Sequence, residues 1–222
     1  MSNARPVPAG FDPWEAAYLR FETPEEETRK FERRLRRLGA ERWSKDARIL
    51  ELCSGRGNGL VALERLGFRH VTGVDLSPRL VRLSSGTRFV GDCRTLAIRD
   101  GSHDVAIVQG GLHHLLSLPG DLERTVTEVQ GVLKPAGLFV VVEPWLTPFL
   151  RLVHQAGRSA IVRRLWAKMD ALATMIEHES VTYEQWLRQP DLISGVLCRR
   201  FEPRVNQQRW GKLLFVGQKP VS

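Results

Sequence analysis

Ile49-Leu50-Glu51-Leu52-Cys53-Ser54-Gly55-Arg56-Gly57-Asn58-Gly59 is the stretch on which the fold turns. A strand-like apolar run leads into a loop with glycines at alternate positions, and a helical pattern follows over Leu60 to Leu66. Glycine lets a backbone turn tightly and lets a ligand approach without meeting a Cβ. Glu51, just ahead of the glycines, disfavours a phosphate and suits a ligand rich in hydroxyl or ammonium groups. The dinucleotide fingerprint G-x-G-x-x-G wants its third glycine elsewhere than Gly59. No Gly-Lys-Ser/Thr follows, which excludes a Walker-type phosphate loop.

Working outward, strands and helices alternate. Arg48 to Cys53, His70 to Asp75, Thr87 to Val90 and Asp104 to Val108 read as strands. So does Leu138 to Val142, a continuous apolar run of the kind that a strand covered on both faces needs. Between them, Ser77-Pro78 opens a helix that Gly86 closes, and Leu122, Val126, Val129 and Leu133 place another over residues 119 to 133. Repeated strand–helix units imply a doubly wound parallel sheet with helices on both faces. Upstream, Thr23 caps a helix that starts at Pro24, with Glu25, Glu26 and Glu27 at its positive end. Arg33, Arg34, Arg36 and Arg37 match its negative end, and Gly39 stops it. Residues 146 to 190 break the rhythm. Leu150, Val153, Ile161, Leu165, Met169 and Leu172 make them a mostly helical insertion, read as a lid over an active site. Two strand-like pieces, Val196 to Trp210 and Lys212 to Gln218, close the chain as a hairpin turning at Gly211. The expected division is a tail and helical cap over residues 1–45, then one α/β unit over 46–222 that carries the lid.

A chain of 222 residues buries roughly 70% of its unfolded surface, so it needs no staples. Its three cysteines, Cys53, Cys93 and Cys198, form no CxxC, which argues against a disulfide framework and against a metal site of that kind. The proline-bearing start, with Pro6 and Pro8, reads as a loose tail without the apolar core of a signal peptide. No run of about 18 apolar residues occurs, so the expectation is a cytoplasmic protein without integral membrane association. The net charge of +8 allows a nucleic-acid partner, with Arg199, Arg200, Arg204 and Arg209 as its nearest candidates.

In an open α/β sheet the ligand sits at the carboxyl ends of the strands, where the winding reverses. Asp75 ends the second strand, where an acid can accept hydrogen bonds from two ribose hydroxyls. Asp92 follows the third strand in Gly91-Asp92-Cys93, placed to accept from a base amino group or, as a turn residue, from its own backbone. His113 and His114 suggest a base or a metal pair. Adjacent residues on a regular element point apart, so no metal is expected there, with one histidine lining an acceptor pocket and the other packing. Glu143 ends the fifth strand nearby.

The order Glu51-x-Cys53-x-Gly55-x-Gly57, then Asp75, then Gly91-Asp92-Cys93, resembles the class I S-adenosylmethionine-dependent methyltransferases, near their quinone-type small-molecule members. Gln109-Gly110-Gly111-Leu112-His113-His114-Leu115 and Leu133-Lys134-Pro135-Ala136-Gly137 resemble that family's later motifs. The resemblance covers roughly residues 46 to 143. It implies a Rossmann-like sheet of seven strands, mostly parallel, with an antiparallel last strand. S-adenosylmethionine is then the expected cofactor, leaving as S-adenosylhomocysteine. Its methionine part would meet Cys53, Ser54, Gly55 and Gly57, its ribose Asp75 and Leu76, and its adenine Asp92 and Cys93. Gln109 would lie at the floor, and Tyr18, together with Trp14 ahead of the first helix, would fold over the cofactor. The family usually has glycine where Cys53 stands, which shifts the expected contact there. The implied reaction moves a methyl group to a small-molecule acceptor, with a nucleic-acid or protein acceptor as the alternative. His113, His114 and Glu143 are the candidates for catalysis.

Overall fold

The strand–helix alternation becomes a seven-stranded sheet in the computed structural model, which describes residues 13–82 and 86–221. The tail expected over residues 1 to 10 lies outside the described residues. The strands are β1 (Arg48–Leu52), β2 (His70–Asp75), β3 (Thr87–Val90), β4 (His103–Gln109), β5 (Leu133–Pro144), β6 (Glu202–Arg209) and β7 (Lys212–Gln218). Their spatial order is β3-β2-β1-β4-β5-β7-β6. β1 pairs in parallel with both β2 and β4, so the winding reverses beside it. β7 is antiparallel to β5 and to β6, which makes it the reversed strand of an otherwise parallel sheet.

Strand periodicity divides the core between the two faces. Ile49, Val105, Ile107, Val140 and Val142 point to one face, under α2 (Pro24–Arg37) and α3 (Asn58–Arg65), where Leu35 and Leu63 meet them. Leu50, Leu52, Ala106, Val108, Phe139 and Val141 point to the other. There they meet Leu122 and Val126 of α5 (Gly120–Val132), Trp186 of α9 (Ser180–Leu187) and Val196 of α10 (Pro190–Arg200). No helix among the described residues is long and apolar enough to cross a membrane.

Thr23 caps α2 as its position predicts. Its hydroxyl accepts from the Glu26 amide at 3.2 Å while the Glu26 carboxylate accepts from the Thr23 amide at 3.0 Å, closing a capping box. Two local readings are corrected. Trp14 and Tyr18 do not precede the first helix; they lie on one of their own, α1 (Pro13–Phe21). Residues 196–200 are not strand; they complete α10, whose first-turn Pro190 starts a helix that buries Ile193, Val196 and Leu197. The hairpin at Gly211 is present, with β6 shorter than expected. The segment read as a lid is helical throughout: α6 (Pro148–Arg158), α7 (Ala160–Leu165), α8 (Ala167–His178) and α9. α1 packs along α8, so an early and a late part of the chain meet above the carboxyl ends of the strands.

Candidate active site

Between those strand ends and that roof lies a cavity of about 1110 Å³. A pocket for one small ligand spans about 300–1,000 Å³, so this chamber has room beyond a single ligand. One side is built by the glycine loop. Cys53, Gly55 and Gly57 take left-handed backbone angles, with φ of 52°, 50° and 77°. The loop is held from both flanks: the Ser54 amide donates to the Val74 carbonyl at 3.0 Å, and the Gly55 amide donates to the Asp75 carboxylate at 2.7 Å. The other Asp75 oxygen accepts from the Ser77 amide at 2.9 Å. Leu76, 68% exposed, lies beside it on the cavity wall.

Glu51 lies beneath the loop, buried, and a Cβ on Gly59 would lie 1.8 Å from its Oε1. Its other oxygen has no hydrogen-bond partner among the described residues. Burial pushes its carboxyl up to about 8, with Glu27 and Asp75 adding to the rise. Gln109 lines the cavity too. Its Oε1 accepts from Arg34 at 2.9 Å and its amide nitrogen is unpartnered among the described residues.

Asp92 takes the turn geometry allowed for it. Its carboxylate accepts from the Arg94 amide at 2.9 Å and from the Arg94 guanidinium at 2.7 Å, which holds its pKa down. Cys93 lies beside Cys53 and 3.7 Å from the Thr125 hydroxyl, and all three cysteines are free thiols. Tyr18 is brought in from above. Its hydroxyl donates to Glu27 at 3.2 Å, its ring lies 4.3 Å from the Arg56 guanidinium, and it sits 3.4 Å from where a Gly55 Cβ would be. Glu27, buried, also accepts from Arg56 at 2.9 Å and from Asn58 at 2.6 Å. Glu27, Arg56 and Asn58 thus lock α2 to the glycine loop, a role that an acid at a helix start does not reveal in sequence.

The far side of the chamber holds the histidines. Both rings line the cavity, centroids 4.2 Å apart, because they share a short 3-10 turn over Leu112–His114 instead of a regular element; the expectation that they point apart is corrected. Glu143, fully buried, accepts from the amides of Gly111 at 2.8 Å and Leu112 at 2.9 Å and is 2.7 Å from His113 Nδ1. Glu179, from the end of α8, lies 3.8 Å from His113 Nε2 and 3.2 Å from His114 Nδ1, and accepts from Trp14 Nε1 at 2.9 Å. Burial alone would lower His113, but the two carboxylates outweigh it and carry it up to about 9. Burial and the charge of His113 push His114 down to about 4. His113 is therefore a cation at neutral pH, gripped by both acids, and His114 is neutral. Among the described residues, His113, His114 and Glu179 are the one set of His, Cys or acid side chains close enough to share a metal ion. Nothing local in the sequence marks Glu179, which the insertion folds onto the strand ends.

A family model described as a methyltransferase domain matches residues 50–141, the span from β1 to β5. Over that span, less than half of the chain, the protein is similar to the methyltransferase domain family. Among curated proteins, the chain is 30% identical over 101 residues to an uncharacterized methyltransferase of Synechocystis, covering 43% of this chain and 46% of that one. It is 28% identical over 121 residues to EEF1A lysine methyltransferase 2 of Danio rerio, covering 48% and 52%. It thus spans about half the length of the curated relatives it matches. Among solved structures, the PH0226 protein of Pyrococcus horikoshii superposes with a TM-score of 0.68 at 20% identity, over 95% of this chain and 100% of that one. An S-adenosylmethionine-dependent methyltransferase described as putative, from Methanococcus maripaludis, superposes at 0.62 and 14% identity, over 100% and 98%. At these identities the structures share the methyltransferase fold.

Proposed function

We propose that this protein transfers a methyl group from S-adenosylmethionine to a small, largely apolar acceptor enclosed with the donor in one chamber. The observation that carries the reading is the continuity of that chamber. The glycine loop opens directly onto walls made by Phe149, Leu150, Val153, Met169, Leu172 and Ile176, under a helical roof.

The donor side fits S-adenosylmethionine on its own chemistry. Glu51 offers a buried carboxyl oxygen with no partner among the described residues, and an arriving ammonium would favour its ionised form. Cys53, Ser54, Gly55 and Gly57 present backbone that a ligand can approach closely. Asp75 holds one amide on each oxygen, which leaves lone pairs for a pair of hydroxyls. Leu76, Asp92 and Cys93 would flank the base, with Gln109 at the floor and Tyr18 above. Bound there, the sulfonium donor supplies a methyl group already activated for in-line displacement. The residues need only align the acceptor with it and keep water out, and alignment of that kind is worth about 7–11 kcal/mol of a barrier. His113 and Glu143 act as a fixed charged pair that shapes the wall, because a histidine already protonated at neutral pH accepts no further proton. His114, neutral and half-exposed toward the chamber, is the histidine available to an acceptor proton.

The likeness to EEF1A lysine methyltransferase 2 and the net charge of +8 favour a second reading, a macromolecular acceptor. Against it, three of the four late arginines are engaged: Arg199 with Glu123, Arg200 with Gln130 and Arg204 with Gln218. Calorimetry with S-adenosylhomocysteine decides the donor role: Asp75→Ala should bind it at least tenfold more weakly, and unchanged affinity would refute the assignment. Methylation of an apolar small-molecule panel, with no turnover on RNA or protein extracts, is the expected result for the acceptor.

A further inference from the structure

Two cations in the chamber wall have no acid paired with them among the described residues. Arg34, on the inward face of α2, and Lys212, the first residue of β7, both line the cavity. Neither has a carboxylate within 4.0 Å among the described residues. Arg34 donates to the Gln109 side-chain carbonyl at 2.9 Å and lies 5.4 Å from the Phe31 ring. The Lys212 ammonium makes no hydrogen bond among the described residues. The acids whose field reaches this corner are committed elsewhere: Glu22 to Lys30, Glu27 to Arg56 and Asn58, and Glu143 to His113. Burial lowers Arg34 to about 10 and Lys212 to about 8, and for Lys212 the nearby charge of Arg34 adds to the fall. A folded protein seldom keeps two such charges in one cavity wall without a carboxylate partner unless something that arrives later answers them.

Their place in the fold says which ligand that is. Lys212 sits opposite Pro144 at the carboxyl end of β5, and Gln109, which Arg34 grips, ends β4. The glycine loop and Asp75 belong to the ends of β1 and β2, so this corner lies on the acceptor side. Phe149, Leu150 and Trp210 wall it with apolar surface. We propose that Arg34 and Lys212 anchor a carboxylate on the methyl acceptor, which makes the acceptor an amphipathic acid with an apolar body. The planar fork of Arg34 matches a carboxylate's two oxygens, and Lys212 supplies a point charge beside it. The anchor rests on the methyltransferase reading above only for the reaction; the binding corner itself does not need a donor.

The test is calorimetric, on the full chain with saturating S-adenosylhomocysteine. The probes are 2-naphthoate and decanoate, each against its neutral amide. The acids are expected to bind at least tenfold tighter than the amides, and Lys212→Met and Arg34→Gln are each expected to erase most of that preference. Acids that bind no tighter than amides, or a preference that survives both substitutions, overturn the proposal. If S-adenosylhomocysteine itself fails to bind, the donor reading falls, and the same acid–amide comparison without it still decides the anchor. Thermal unfolding gives a readout independent of any probe. Lys212→Met should unfold at the same or a higher temperature, because it removes an unanswered charge; a fall of several degrees would mean that Lys212 supports the fold and would overturn the anchor.

Discussion

Cys53 carries the departure from the family's glycine in its backbone. At φ 52° an L-residue is strained, at a cost of about 1–2 kcal/mol, while glycine there brings back about 0.5–1 kcal/mol of chain entropy. Cys53→Gly should therefore raise stability by up to about 1 kcal/mol, read from urea unfolding. The side chain also dictates its neighbour, since a Cβ on Gly111 would lie 2.4 Å from Cys53 Cβ. Gly111→Ala should be destabilising with Cys53 present and much less so when combined with Cys53→Gly, a coupling of about 0.5–3 kcal/mol in a double-mutant cycle. His113 sets a second expectation. Its folded value of about 9 lies above the ordinary 6.5, so its stabilising contribution is complete below pH 6.5 and is lost as pH rises through 9. At about 1.4 kcal/mol per pKa unit this is a few kcal/mol, and His113→Gln should flatten the stability profile across that window. Residues of this scale were legible where the chain places them beside a strand end, as with Glu51, Asp75 and Glu143. Asp92 shows the limit: its neighbour Arg94 takes the carboxylate, a choice made by side-chain geometry that spacing does not encode.

The elements that roof the chamber are tied by few bonds. Trp14 of α1 donates to Glu179, Arg20 reaches Asp170 at 3.8 Å, and Lys168 bonds Glu26 at 2.8 Å. The two salt bridges are exposed and contribute little; the indole bond to a carboxylate that is largely buried is worth about 1.5–3 kcal/mol. Trp14→Phe keeps an aromatic ring and deletes that bond. Limited proteolysis within residues 146–190 should then quicken by roughly tenfold or more, and an unchanged rate would show that the bond does not hold the roof. At this scale periodicity served well where a strand or helix was long and isolated, as with β5 and α5. It failed at residues 196–200, because Val196-Leu197-Cys198 is apolar enough for either state and only packing from Pro190 onward decides it. Nor could periodicity show that Arg34 turns inward, since its three neighbouring arginines suggest a solvated helix end.

Across the whole molecule, the sheet reached from both faces is what holds the site's two halves in register. Phe139, fully buried, packs against Phe201 with ring centroids 5.3 Å apart and planes tilted by 45°, where α10 gives way to β6. Phe139→Ala should cost about 3–5 kcal/mol, seen as one cooperative shift of the whole denaturation curve. The doubly wound order was legible because each strand–helix unit announces itself locally. The meeting of α1 with α8 was not, since it joins parts of the chain far apart in sequence.

That meeting has a kinetic consequence. Tyr18 and Trp14 stand on the same short helix, the first over the glycine loop and the second bound to Glu179 above the histidines. A movement of α1 would therefore uncover both compartments together. On the proposed function, one spent occupant is then expected to leave only when the other is exposed as well, with the frequency of that single opening limiting turnover. Thickening the solvent should slow steady-state cycling while leaving the single-turnover step untouched.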